Sequence, residues 1–95
     1  MITLTSAISE TIKVGATVNV PVNETFIVPE NAVGKFFVRL KLGEQGLIPP
    51  DSRFPPSFKG GPKKGIVLIN NGANPIEIVK GQKIGTLAFL QLAST

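Results

Sequence analysis

Apolar and polar residues alternate in short runs along this chain, at the two-residue period of a β-strand with one buried face. Ile2 and Leu4 flank Thr3, Val18, Val20 and Val22 share a parity, and Ile76 and Ile78 flank Glu77. Each run predicts a strand. Further strands are expected at residues 11–14 and 25–28, the latter stopped by Pro29, which has no N–H to give to a ladder. The longest is expected at 35–42, with Phe37, Arg39 and Lys41 on one side and Phe36, Val38, Leu40 and Leu42 on the other. Residues 64–92 read as three consecutive strands joined by tight turns at Asn70-Asn71-Gly72 and Lys80-Gly81-Gln82, residue types that accept positive φ. Turns are also expected at 14–16 and 29–32. Residues 49–62, PPDSRFPPSFKGGP, hold five prolines and two glycines and read as a loop without regular pairing. No segment sustains a helical period past its prolines. The expected fold is all-β: a sandwich, jelly roll or small barrel.

Composition narrows what such a domain does. Ninety-five residues supply one core, so residues 1–95 are expected to form a single domain. The chain has no cysteine and no histidine. That excludes disulfide scaffolds, thiol nucleophiles, and the commonest general base and metal ligand at neutral pH. The net charge of +4 permits an acidic protein surface, a nucleic acid or a small anion as partner without choosing among them. No basic segment precedes an apolar run at the amino terminus, and no run reaches membrane-span length, so the expectation is a protein made in the cytoplasm.

Several segments together resemble the dUTPase and dCTP deaminase superfamily. The apolar strand ending in Asn70-Asn71-Gly72, the short Pro75-Ile76-Glu77-Ile78 strand, and Lys80-Gly81-Gln82-Lys83-Ile84-Gly85-Thr86-Leu87-Ala88-Phe89 are similar to the end of that family's barrel. Upstream, Ile12-Lys13-Val14-Gly15 and Val28-Pro29-Glu30 with Gly34 resemble its early strand pair. Arg39-Leu40-Lys41-Leu42 followed by Gly46-Leu47-Ile48 stands where the family has an R-S-x-L segment. Phe54-Pro55-Pro56-Ser57-Phe58-Lys59-Gly60 stands where it has I-D-x-x-aromatic-cation-Gly. The resemblance implies a dUTPase-like β-barrel or jelly roll that assembles as a trimer.

The departures from the family pattern bear on function. The catalytic carboxylate of the pyrophosphatase branch is matched by Pro55. The proton-shuttling glutamate of the deaminase branch has no counterpart in residues 60–74, which hold no acid. The phosphate-binding serine is matched by Leu40, and the arm that closes over the nucleotide would lie beyond Thr95. No catalytic residue and no cofactor is therefore expected. Arg39, Lys41 and Lys59 are the candidate phosphate-binding residues. Asp51 with Glu44 offers a Mg²⁺ pair, but two acids in or beside a loop more often stay solvated, and no metal site is expected. Lys59, Lys63 and Lys64 surround Gly60 and Gly61, which invites a phosphate-cradle reading, but without a following helix or the Walker spacing the segment reads as a basic loop. Arg53, Phe54, Phe58 and Lys59 form a candidate interaction loop, its aromatics exposed. Phe36, Phe37, Phe89, Leu90 and Leu92 are candidate subunit-interface residues.

Three functions fit these features. The first is a non-catalytic, trimeric structural or interaction protein; a decoration or cement protein on a viral capsid, seated at three-fold positions against the major capsid protein on the virion surface, suits its size and symmetry. The second is a residual deoxynucleotide pyrophosphatase or deaminase using Asp51 and Mg²⁺. The third is a regulator that binds a nucleotide without turning it over. Trimer formation would bury on the order of 1,000 Å² per subunit or more, in a domain too small to be more than marginally stable alone. Truncation after Gly85 is expected to abolish both assembly and folding, measured as loss of the β circular-dichroism signal and of the oligomer in light scattering.

Overall fold

The alternating runs become eleven strands and one helical turn in a computed structural model that describes residues 1–92. In chain order these are β1 (Ile2–Thr5), β2 (Glu10–Ile12), β3 (Thr17–Val20), β4 (Phe26–Ile27), β5 (Ala32–Val38), α1 (Leu40–Glu44), β6 (Leu47–Ile48), β7 (Arg53–Phe54), β8 (Lys59–Gly60), β9 (Ile66–Asn70), β10 (Ile76–Ile78) and β11 (Lys83–Gln91). They pair into a four-stranded sheet ordered β1-β11-β5-β7, a three-stranded sheet β3-β9-β6, and two-stranded sheets β10-β2 and β4-β8. Every ladder is antiparallel. A single cluster of buried apolar side chains fills the interior, among them Leu4, Ile12, Val20, Phe36, Leu68, Ile76, Ile84 and Leu87. The parity of the sequence is kept: Ile76 and Ile78 are buried on either side of exposed Glu77.

The last three strands and the tight turns between them form as the sequence predicts, and none of the three pairs with another. β9 pairs with β3 and β6, β10 with β2, and β11 with β1 and β5, so consecutive strands enter different sheets. Asn70 is the reason at the first junction. It is fully buried, and its Oδ1 accepts the Gly72 N–H at 2.9 Å while its Nδ2 donates to Ile12 O at 3.0 Å and Asn74 O at 2.8 Å. Its own backbone closes the same junction, with Gly15 N–H donating to Asn70 O and Asn70 N–H to Ala16 O. A local Asx turn thus sends the chain away from β9 and pins it to the end of β2. At the second junction Lys80-Gly81-Gln82 does turn tightly, with Gly81 at φ 87° and Gln82 N–H donating to Val79 O, yet the strands on either side separate.

The strand expected at 35–42 is corrected. β5 ends at Val38 and α1 follows. Arg39 N–H crosses to Ile84 O, and Arg39 O then accepts from Leu42 and Gly43 N–H, which starts the helical turn. Gly46, at φ 101°, stops it in the left-handed conformation that ends many helices. Leu42 is buried under either reading, because an i, i+4 step and a strand of even parity place it on the same side. Leu40, in contrast, is 77% exposed. β11, not β5, is the longest strand. Residues 49–62 are not wholly irregular either, since they contain β7, paired with β5, and β8, paired with β4. Among the described residues no helix is long and apolar enough to cross a membrane.

Asn70→Ala removes three hydrogen bonds, to the Gly72 N–H and to the Ile12 and Asn74 carbonyls, of which the Ile12 bond is fully buried; a buried polar group left unmet costs about 1–3 kcal/mol. A loss of about 3 kcal/mol or more in chemical denaturation is expected, whereas Asn71→Ala, at an exposed neighbour, is expected to stay within about 0.5 kcal/mol of the parent.

Candidate functional site

The proline-rich segment folds its aromatics inward, and that decides which groups reach solvent. Phe58 N–H donates to Pro55 O, and Ser57, between them, adopts φ 69°, the only non-glycine residue with positive φ among those described. Pro55 at the second position of the turn before it would have been ordinary; here it opens a four-residue turn whose third residue is left-handed, the arrangement of a type II turn. Ser57 N–H also bonds Val28 O, and Val28 N–H bonds Phe58 O, so the turn is tied to the segment after β4. The result is an aromatic trio. Phe54 and Phe58 lie with centroids 4.6 Å apart, and Phe26 packs against them at 6.2 and 6.1 Å. Gly60 in β8 faces Phe26 so closely that a Cβ there would overlap the ring.

The expectation that Phe54 and Phe58 are exposed contacts is thereby corrected. Phe54 is buried and Phe58 half-buried, because their rings extend the apolar core rather than break the surface. Phe36 is corrected too. It is 2% exposed beneath β11, and is not available to a neighbouring subunit. Phe37, Phe89, Leu90 and Leu92 do reach the surface, at 46, 37, 48 and 47% exposure.

Cations frame this aromatic cluster. Lys59, Lys63 and Lys64 are exposed and line one groove of about 340 Å³ with Thr25, Gly60, Gly61 and Pro62. Gly61 and Lys64 form a bridge, each N–H bonding the other's carbonyl at 2.8 and 3.2 Å, with Pro62 and Lys63 at the tip. Lys64 Nζ lies 4.8 Å from the Phe58 centroid, a favourable cation–π placement. Gly65 N–H donates to Asn19 Oδ1. The amides of Gly61, Lys64 and Gly65 already have acceptors within the protein, in keeping with a basic loop rather than an anion cradle of backbone amides.

The other candidates do not join this groove. Arg39 stands half-buried at the start of α1 and Lys41 is exposed on it; neither lines the groove with Lys59. Arg53 lies opposite Lys35 in the β5–β7 ladder, two cations side by side. Asp51 accepts the Arg53 N–H through Oδ1 at 3.0 Å, a turn-forming role. Glu44 lines a separate cleft with Gly46, Gly72 and Asn74, apart from any bond to Asp51. Among the described residues no three or more acidic side chains gather as a metal site. Sequence reasoning missed Glu24, whose carboxylate accepts both the N–H and the hydroxyl of Thr5 at 2.7 Å; the contact links residues nineteen apart and leaves no local pattern.

No family model matches the chain, and no curated protein does. Among solved structures, native EIAV dUTPase superposes on it with a TM-score of 0.76 at 23% identity, covering 98% of this chain and 76% of that one. The chain has a dUTPase-like fold. At this identity the likeness concerns the barrel and its connections, and within the dUTPase-like frame Pro55 occupies an exposed turn while β9 carries only Ile66, Val67, Leu68, Ile69 and Asn70.

Phe26→Ala removes the ring shared by both other members of the trio and is expected to cost about 3–5 kcal/mol in equilibrium unfolding. Lys64→Ala, which deletes only an exposed cation over Phe58, is expected to cost about 1 kcal/mol or less by the same measurement.

Proposed function

We propose that this chain is a non-catalytic interaction protein that uses a dUTPase-like barrel as a homotrimeric scaffold. The observation that carries the proposal is the absence of proton-handling groups at the two places where the family resemblance implies them. Pro55 has no ionisable atom, and β9 presents only aliphatic side chains and a buried asparagine that is fully committed to hydrogen bonds. General acid–base chemistry needs a titratable group within hydrogen-bond reach of the reacting atom. Asp51 is engaged in its own turn, and Glu24 is engaged with Thr5.

Two features support self-association. Among the described residues β1 pairs with β11 only as far as Ile2 opposite Leu87, whereas β11 runs on to Gln91, so residues 88–91 have a strand partner there on one side alone. Open strand edges invite pairing with another chain. Next to that edge, Phe89, Leu90 and Leu92 expose apolar surface, and Phe37 and Leu90 fall on the outer face of the sheet, on the parity of Thr86 and Lys35. Three copies joined there would present three identical basic grooves, a multivalent arrangement that raises avidity for a repetitive partner. A viral capsid with three-fold positions is such a partner, and a decoration protein on the virion surface is the role that suits this geometry.

Light scattering at micromolar concentration is expected to give three times the monomer mass, and incubation with dUTP or dCTP and Mg²⁺ at high protein concentration is expected to yield no product above blank. A monomer in the first measurement removes the scaffold, and turnover in the second replaces it with an enzyme.

A further inference from the structure

We infer that the groove between Thr25 and the 61–64 hairpin is a docking site for an extended acidic segment of a partner protein, one that alternates carboxylates with apolar side chains. The inference deepens the interaction-protein reading and rests on it for biological sense, although the site itself is defined by the geometry of one chain. Among the described residues every ionisable side chain lining the groove is a lysine: Lys59, Lys63 and Lys64. Between the lysines the walls are Pro62 and the aliphatic stems of the lysines themselves, which offer apolar contact beneath a cationic rim. Gly60 and Gly61 are buried, a Cβ at either pointing back toward Phe26 or Thr25, so the surface offered to another chain is that of Pro62 and the lysines.

Three ligand classes would be drawn to such charge, and the structure favours one. A phosphate held by a loop needs convergent N–H donors, but the amides of Gly61, Lys64 and Gly65 are spent within the protein. Single-stranded nucleic acid binds by stacking bases on open aromatic faces. Phe58, the aromatic nearest the groove, is already engaged by Lys64 and by the rings of Phe26 and Phe54. An acidic peptide needs neither: its carboxylates pair with separate ammonium groups, and its apolar side chains rest between them. The adjoining β4-β8 pair is only two residues long in each strand, and exposed Ile27 in β4 extends the apolar surface beside Lys59, its partner in the ladder.

Fluorescence anisotropy with a labelled short peptide alternating Glu and Leu tests this directly, alongside poly-glutamate and oligothymidylate of equal length. The full chain is expected to bind the Glu-Leu peptide more tightly than either comparator, with affinity falling as salt rises. Lys59→Glu with Lys63→Glu is expected to weaken binding about tenfold or more at unchanged melting temperature, while Lys13→Glu with Lys80→Glu, the same change in net charge elsewhere, leaves it intact. Should the Glu pair disturb folding, Lys59→Gln with Lys63→Gln carries the same expectation. No binding of the peptide, equal loss in both double variants, equal affinity for poly-glutamate, or tighter binding of oligothymidylate would each overturn the inference. A monomeric state or dUTP turnover would overturn the scaffold reading while leaving the groove standing.

Discussion

The hydrogen bonds of one buried side chain hold the connections of this barrel in place. Asn70 closes β9, fixes the turn at Gly72 and reaches across to the end of β2, so three chain segments meet at a single amide. A buried amide is costly to leave unmet, and here both its oxygen and its nitrogen are satisfied. The same junction receives Gly46, whose carbonyl accepts the Asn71 N–H; a Cβ at Gly46 or at Gly72 would collide with the facing backbone. Helical turn, β9 and β10 are thereby packed backbone against backbone. A hydrophobic core alone does not specify that connectivity, since the apolar strands would be buried equally well as a plain meander.

The second organising feature is the inward turn of the proline-rich segment. A left-handed Ser57 costs about 1 kcal/mol or more, offset by two backbone bonds to Val28 and by the burial of Phe54 and Phe58 against Phe26. What that fold leaves at the surface is a set of lysines. The segment therefore turns its aromatics to the core and its cations to solvent, a division between the two residue types that a mixed Arg-Phe and Phe-Lys pattern does not suggest on its face.

The two surfaces available for interaction are chemically different. The groove near Lys59, Lys63 and Lys64 is cationic. The outer end of β11 is apolar, with a strand edge open beyond Leu87. The two surfaces share no residue, so the self-association and the acidic-partner docking proposed above would not compete.

Local alternation was enough to establish that the chain is built of strands and where Pro29, Gly15 and Gly81 punctuate them, because burial of one strand face imposes a period of two whatever the neighbours are. The family resemblance, carried by residues 70–89 above all, extended this to the dUTPase-like barrel. Tertiary structure alone decided the partners of β9, β10 and β11, since an N-x-G turn in a hairpin and an Asx turn between sheets share the same residues and differ only in what the asparagine side chain meets. It alone decided that Leu42 lies on a helical turn, because both periods bury it. It alone turned Phe36, Phe54 and Phe58 inward and gave the Gly65 amide its acceptor, for Phe54 and Phe58 pack on Phe26, Phe58 bonds Val28 and Gly65 bonds Asn19, partners distant in sequence.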